Sequence, residues 1–203
     1  METGEEMPQS IGGKQELYEY IKNNGIIFEH VRLSSGVESD YYYDLRRVSH
    51  HPHGLRLIAA QLLKVIKKTN AKSVGGLATA AIPVSTAIVL EDSRFGEYKN
   101  SLTAFFVRDK VKDHGLMKQI EGMIENPVAI VDDVLTSGQS IMKAINAAET
   151  HGYKVVCVSC ILDREEHGIE NILTQNGIRY TPLFSHSDFK SYIDSKLRSM
   201  AKK

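Results

Sequence analysis

The residue types most suited to chemistry cluster between positions 128 and 140, which read VAIVDDVLTSGQS. An apolar, β-branched run leads into two aspartates, then into a turn of hydroxyl residues and glycine, then into an amphipathic helix. A small-residue turn that enters a helix presents unpaired backbone N–H groups and the positive end of the helix dipole, which together cradle a phosphate. Gly138 lets the backbone approach such a ligand closely. Asp132 and Asp133 would repel a phosphate. They suit the vicinal hydroxyls of a ribose, which donate to carboxylates, and a Mg2+ that arrives with the ligand. An acid pair alone reads as solvated charge beside a capped helix. Strand, acid pair, hydroxyl turn and helix in that order predict a ribose-phosphate site. No GxxxxGK[ST] pattern is present, so this is not a Walker loop.

Three further segments carry candidate groups. Residues 108–122, RDKVKDHGLMKQIEG, hold Arg108, Lys110, Lys112, His114 and Lys118 with no clear periodicity. This is a long loop, and long loops in compact domains are usually functional. Cations there could close over an anionic substrate, exclude water and meet negative charge developing on a leaving group; composition alone also allows a plain solvated loop. Residues 33–47, LSSGVESDYYYDLRR, form a polar turn and then an aromatic strand. Three consecutive tyrosines cannot all face a core, so they offer a platform for a planar ring, or one buried ring with its neighbours at the surface. Arg164 follows an apolar strand within DREE. Such an arginine grips a carboxylate in a bidentate manner, or simply pairs with Glu165 or Glu166.

The elements that must position these groups alternate. Helical patterns cover 14–24, 52–68, 83–90, 140–150, 169–175 and 188–201; strand patterns cover 73–77, 102–107, 127–131, 154–162 and 179–183. This rhythm predicts an α/β fold with a mostly parallel central sheet flanked by helices on both faces. Ligands of such sheets bind beyond the carboxyl ends of the strands, so the loops after residues 77, 107, 131 and 162 should hold the site. Cys157 and Cys160 lie within the strand VVCVSCIL. Positions three apart in a strand are roughly 10 Å apart on opposite faces, beyond the roughly 7 Å limit of a disulfide. They are expected to be buried, reduced thiols, as in a cytoplasmic protein. His50, His51 and His53 resemble a metal cluster but stand at a helix start without a fourth ligand in view.

The segment 128–140 resembles the phosphoribosyl pyrophosphate (PRPP) signature of type I phosphoribosyltransferases, and FFVRDKVKDHG resembles the catalytic loop of orotate phosphoribosyltransferases. The resemblance covers about residues 15–190. It implies a small N-terminal hood over the sheet and transfer of the 5-phosphoribosyl group from PRPP to orotate, giving orotidine 5'-monophosphate and pyrophosphate. By the same resemblance Asp132, Asp133, Val134, Leu135, Thr136, Ser137, Gly138, Gln139 and Ser140 bind PRPP. Thr79 and Ala80, within the loop 75–83 (GGLATAAIP), hold the pyrophosphate end. Lys112 is the principal catalytic lysine, and Arg108 and His114 contact the pyrophosphate. Lys112, His114, Asp132 and Asp133 form the catalytic set. Tyr42 and Tyr43 match an aromatic pair of the orotate site, which Thr136 and Arg164 complete. Mg2+ enters with PRPP, no residue is its direct ligand, and the loop closes over the partner's site in a homodimer. The chain departs from the family at Ser34, where many members carry lysine, at Asp109, where the family often does, and at Ala80, where some do.

Composition narrows the alternatives. The chain has 203 residues, with 25 lysines and arginines against 25 aspartates and glutamates. That length fits a flexible tail over 1–12 and a single domain over 13–203. A formal net charge of zero gives no pull toward nucleic acid or an anionic membrane. The start of the chain is acidic and polar, unlike a signal peptide, and no run approaches the roughly 20 apolar residues of a membrane helix. The rivals are a phosphoribosyltransferase for another base, which orotate-dependent pyrophosphate release would separate, and a PRPP sensor without turnover. Lys112 and His114 speak against the sensor.

Overall fold

The computed structural model describes residues 13–32, 36–94, 101–109, 119–166 and 168–202. Helix α1 (Lys14–Asn24) is followed by four two-residue strands, β1 (Ile26–Ile27), β2 (Val31–Arg32), β3 (Glu38–Ser39) and β4 (Tyr42–Tyr43). Then come α2 (Arg46–Ser49), α3 (Pro52–Ile66), β5 (Ser73–Leu77), α4 (Ala81–Ser93), β6 (Thr103–Val107), β7 (Ile120–Gly122) and β8 (Val128–Leu135). The chain continues through α5 (Gln139–Thr150), β9 (Val155–Asp163), α6 (Ile169–Gln175), β10 (Arg179–Tyr180), β11 (Phe184–Ser185) and α7 (His186–Met200). The tail expected over 1–12 lies outside the described residues.

Among the described residues the main sheet has seven strands in the order β10-β9-β8-β5-β6-β7, with β11 also on β9. All pairings are parallel except β6 with β7. The expected mostly parallel α/β architecture is what forms. Period-two alternation sends the residues of β8 and β9 into two cores. Ala129, Val131 and Cys157 pack with Leu57, Ile58 and Leu62 of α3 and Phe189 of α7. Val128, Ile130, Val158 and Cys160 pack with Ile141, Ala144 and Ile145 of α5. Each fully buried Ile or Leu contributes roughly 1.5–3 kcal/mol relative to exposure. The two thiols are free, buried and in different cores, as strand alternation requires. Near the N-terminus, β1 pairs with β4 and β2 with β3, both antiparallel, forming the expected hood. No helix among the described residues is long and apolar enough to cross a membrane.

The structure corrects three element bounds. The strand expected to end at Val131 continues to Leu135, because its pairing with β9 runs on to Leu135 opposite Asp163. The stretch 108–122 does not stay a loop: Ile120–Gly122 returns antiparallel along β6, placing Glu121 opposite Phe106. The strand expected over 179–183 breaks after Tyr180. Pro182 lacks an N–H to extend a ladder, and the chain rejoins β9 at Phe184.

Candidate active site

Sheet topology fixes where the site must be. β5 leads through α4 to β6 on one side of the sheet, and β8 leads through α5 to β9 on the other. The boundary between β5 and β8 is therefore the switch point at which open α/β sheets bind ligands. Pairing of β5 with β8 ends at Gly75 opposite Ile130, whereas β8 stays on β9 for five more residues. The two strands part there, and the acid pair stands at the opening. Gly76 allows the close approach just before it: a Cβ at Gly76 would collide with the carbonyl of Val131. The 75–83 loop leaves from this point, with the Ala78 N–H donating to the Val107 carbonyl at 2.8 Å.

Asp132 is 7% exposed. Burial, followed by the negative charge of Asp133, pushes its carboxyl up to about 7. The backbone offsets part of the cost. The Asp133 N–H donates to Asp132 Oδ1 at 3.0 Å, and the Val134 N–H donates to Asp133 Oδ1 at 2.7 Å. Two carboxylates crowded at the mouth of a phosphate loop favour ligands that bring hydroxyl donors or positive charge. Beyond them, Gly138 has φ +76° and its Cβ position is filled by Ile169, so glycine is required both by conformation and by contact. No side chain caps α5. The amides of its first turn, which no helical carbonyl can serve, point into the loop formed by Thr136, Ser137, Gln139 and Ser140. Ser137, Gln139 and Ser140 are exposed there.

The base of the cationic segment is pinned on both sides. Arg108 donates from Nε and Nη2 to Glu121 Oε1 at 3.1 and 3.0 Å, with its guanidinium over the Phe106 ring. Asp109, the departure from the family's lysine, pairs with Lys143 of α5 at 2.6 Å. A cation missing from the sequence position is thus present in space, supplied from a helix 34 residues away. Lys112, His114 and Ser34 lie outside the described residues.

At the other end of the crevice, Tyr42 and Tyr43 are adjacent strand residues and so face opposite ways. The ring that shares the side of Tyr43 is Tyr41, edge-on at 5.9 Å. Tyr43 shares a 2.8 Å hydrogen bond with His186 Nδ1, and the His186 ring lies parallel to Tyr41. Burial raises the pKa values of both tyrosine hydroxyls, and the positive charge of Arg164 opposes the rise in each. Arg164 is therefore near this aromatic pair. Its side chain is 18% exposed and pairs with Glu166 at 2.9 Å, and its N–H donates to the Leu135 carbonyl at 2.9 Å. The structure thus joins the aromatic hood, Arg164 and the end of β8 along one edge. Tyr41, His186 and Lys143 were missed by sequence reasoning; the only available signal was the odd-even spacing of Tyr41 and Tyr43. Elsewhere, His53 pairs with Glu16 and His50 with the Arg46 carbonyl. Among the described residues no group of three or more His, Cys, Asp or Glu is placed to hold a metal ion.

This geometry accords with what the chain is similar to. Over 183 residues it is 37% identical to the orotate phosphoribosyltransferase of Methanosphaera stadtmanae, an alignment that covers 89% of this chain and 98% of the relative. The chain belongs to the orotate phosphoribosyltransferase family. It is also 39% identical over 163 residues to the Aquifex aeolicus orotate phosphoribosyltransferase, covering 77% of this chain and 85% of that one. The solved structure of Mycobacterium tuberculosis orotate phosphoribosyltransferase in complex with PRPP matches with a TM-score of 0.71 and 31% identity, over 87% of this chain and 98% of that one. No protein-family model matches the chain.

Proposed function

We propose that this protein transfers the 5-phosphoribosyl group of PRPP to orotate, releasing pyrophosphate and forming orotidine 5'-monophosphate in de novo pyrimidine biosynthesis. The observation that supports this most is the acid pair followed by the open N-terminus of α5, placed at the switch point next to an aromatic hood with an arginine. In this reading residues 13–203 act as one catalytic domain in the cytoplasm.

The residues divide the work. Thr136, Ser137, Gly138, Gln139 and Ser140 bind the 5'-phosphate through the first-turn amides of α5 and their hydroxyls. Val134 and Leu135 carry the chain from the acids to that loop. Asp132 and Asp133 accept hydrogen bonds from the ribose hydroxyls, and their charge favours positive character on the sugar as the bond to pyrophosphate breaks. Thr79 and Ala80 receive the pyrophosphate through backbone groups. Arg108, held in place by Glu121, shares its guanidinium with the leaving group, while Lys112 and His114 neutralise the charge that develops there. On the base side, Arg164 grips the orotate carboxylate and Tyr42, Tyr43 and Thr136 frame the ring. The ring nitrogen attacks the anomeric carbon directly, so no covalent nucleophile on the protein is needed.

The donor set fits a Mg2+ carried by the diphosphate. The negative charge of Asp132 and Asp133 would help hold the ion at the mouth of the site, with its direct ligands supplied by PRPP and water. When bound, the ion would supply positive charge to the pyrophosphate. The active form in this reading is a homodimer, with Lys112 and His114 reaching the partner's site. The test is to follow orotate absorbance after adding protein, PRPP and Mg2+, beside a Lys112→Ala variant. Orotate loss with the wild type and a fall of about 100-fold or more in kcat for the variant, the size of one lost charge-stabilising group, support the assignment. PRPP binding without orotate loss overturns it.

A further inference from the structure

Arg164 can select a carboxylate only if something aims it, because a bidentate grip tolerates misplacement of about 0.5 Å. We infer that Tyr180 and Glu165 are positioning residues that clamp the Arg164 segment from two sides. Selectivity for a carboxylate-bearing base is then set partly by the stretch from Tyr180 to Ser187. This inference rests on the orotate reading given above.

The inner side of the clamp is a hydrogen-bonded relay. The Tyr180 hydroxyl, on the edge strand β10, donates to Asp163 Oδ2 at 2.6 Å. The other oxygen of Asp163 accepts the Glu165 N–H at 2.7 Å. Asp163 thereby ties β10 to the residue on the far side of Arg164. The relay sits on the buried Cys160 thiol, 3.7 Å from the same hydroxyl, where little water competes and the bond to a carboxylate is strong. The outer side is Glu165. Its φ of +59° lies in the left-handed region that side chains other than glycine rarely adopt. Its carboxylate fixes that turn by accepting the Ser187 N–H at 2.8 Å and the Ser187 hydroxyl at 2.6 Å. Ser187 lies in the first turn of α7, where the helix dipole favours an anion. With the Arg164 N–H already on Leu135, residues 163, 164 and 165 are each fastened to a different element: β10, β8 and α7.

The Tyr180–Asp163 and Glu165–Ser187 contacts involve none of Tyr42, Tyr43 and residues 136–140. Loosening the clamp therefore weakens the grip on the carboxylate and spares the rest. The test compares Tyr180→Phe and Glu165→Asn with the wild type. Asn tolerates the left-handed turn but is too short to reach Ser187. Four quantities are read: KM for orotate, KM for PRPP, the inhibition constant of uracil (the same ring without the carboxylate) and Tm. Each variant should raise KM for orotate about five- to tenfold, the size of the net contribution of one hydrogen bond, with the uracil constant and KM for PRPP within about twofold. A parallel loss for orotate and uracil, or no change in either, overturns the clamp. Should Tyr180→Phe lower Tm too far to assay, Glu165→Asn at its exposed turn decides alone. A wild type that fails to turn over orotate overturns the functional reading itself, an outcome separate from an active wild type with unchanged variants.

Discussion

The burial of Asp132 carries a stability cost that can be measured. Its ordinary value of 3.8 is raised to about 7 in the folded chain, by burial and then by the charge of Asp133. A carboxyl whose folded value is raised leaves full stability below the unfolded value and loses it progressively as pH climbs to the folded one. The window is therefore about pH 4 to pH 7. Each unit corresponds to about 1.4 kcal/mol, so the step between pH 5 and pH 8 is on the order of 2–3 kcal/mol. Asp132 and Asp133 compete for the same proton, which reduces the share one residue returns to roughly 1–2 kcal/mol. Asp132→Asn removes the charge and keeps an oxygen to accept the Asp133 N–H, a bond of 3.0 Å in the wild type. At this chain length a gain of 1 kcal/mol raises Tm by roughly 2–4 °C. The variant should melt roughly 3–6 °C higher relative to wild type at pH 8 than it does at pH 5, at equal protein concentration and without ligand. An equal offset at the two pH values would refute the argument that the acid pair is held under electrostatic stress.

Two further outcomes follow from the same physics. Gly138→Ala places a Cβ against Ile169 and forces alanine to φ +76°; it should cost roughly 1–3 kcal/mol in urea unfolding and raise KM for PRPP with little change in KM for orotate. Cys157 and Cys160 are both free and buried, with burial holding the Cys157 thiol up at about 11 and the Cys160 thiol higher still. An aromatic disulfide reagent should therefore titrate no thiol in the native protein at pH 8 and two after denaturation. Fast native reaction would contradict the two-core placement.

The geometry of the candidate phosphate loop was readable because its parts are contiguous. Residues 128–140 pass through strand, turn and helix in order, and local geometry alone brings the acids, Gly138 and the first-turn amides of α5 together. The thiols were readable for the same kind of reason, since a period of two assigns Cys157 and Cys160 to opposite faces without knowledge of the fold. The hairpin return at Ile120–Gly122 was not readable, because three residues carry too little pattern to separate a strand from a loop. The base end was only partly so. Sequence marks the tyrosine run and Arg164 as unusual, but Tyr41, Tyr43, Arg164 and His186 meet through β4, the end of β9 and the start of α7, elements with no local relation to one another.

What the sequence by itself determined is therefore the structure that neighbours along the chain can form: the strand–turn–helix of residues 128–140, the parallel α/β rhythm and the burial of the cysteines. Tertiary structure alone decided the rest. It brought His186 to Tyr43, set Lys143 against Asp109, and opened the crevice where β5 leaves β8. It also buried Asp132 enough to shift its titration. These outcomes depend on which strands run side by side and how far their pairing extends, and no local spacing encodes that.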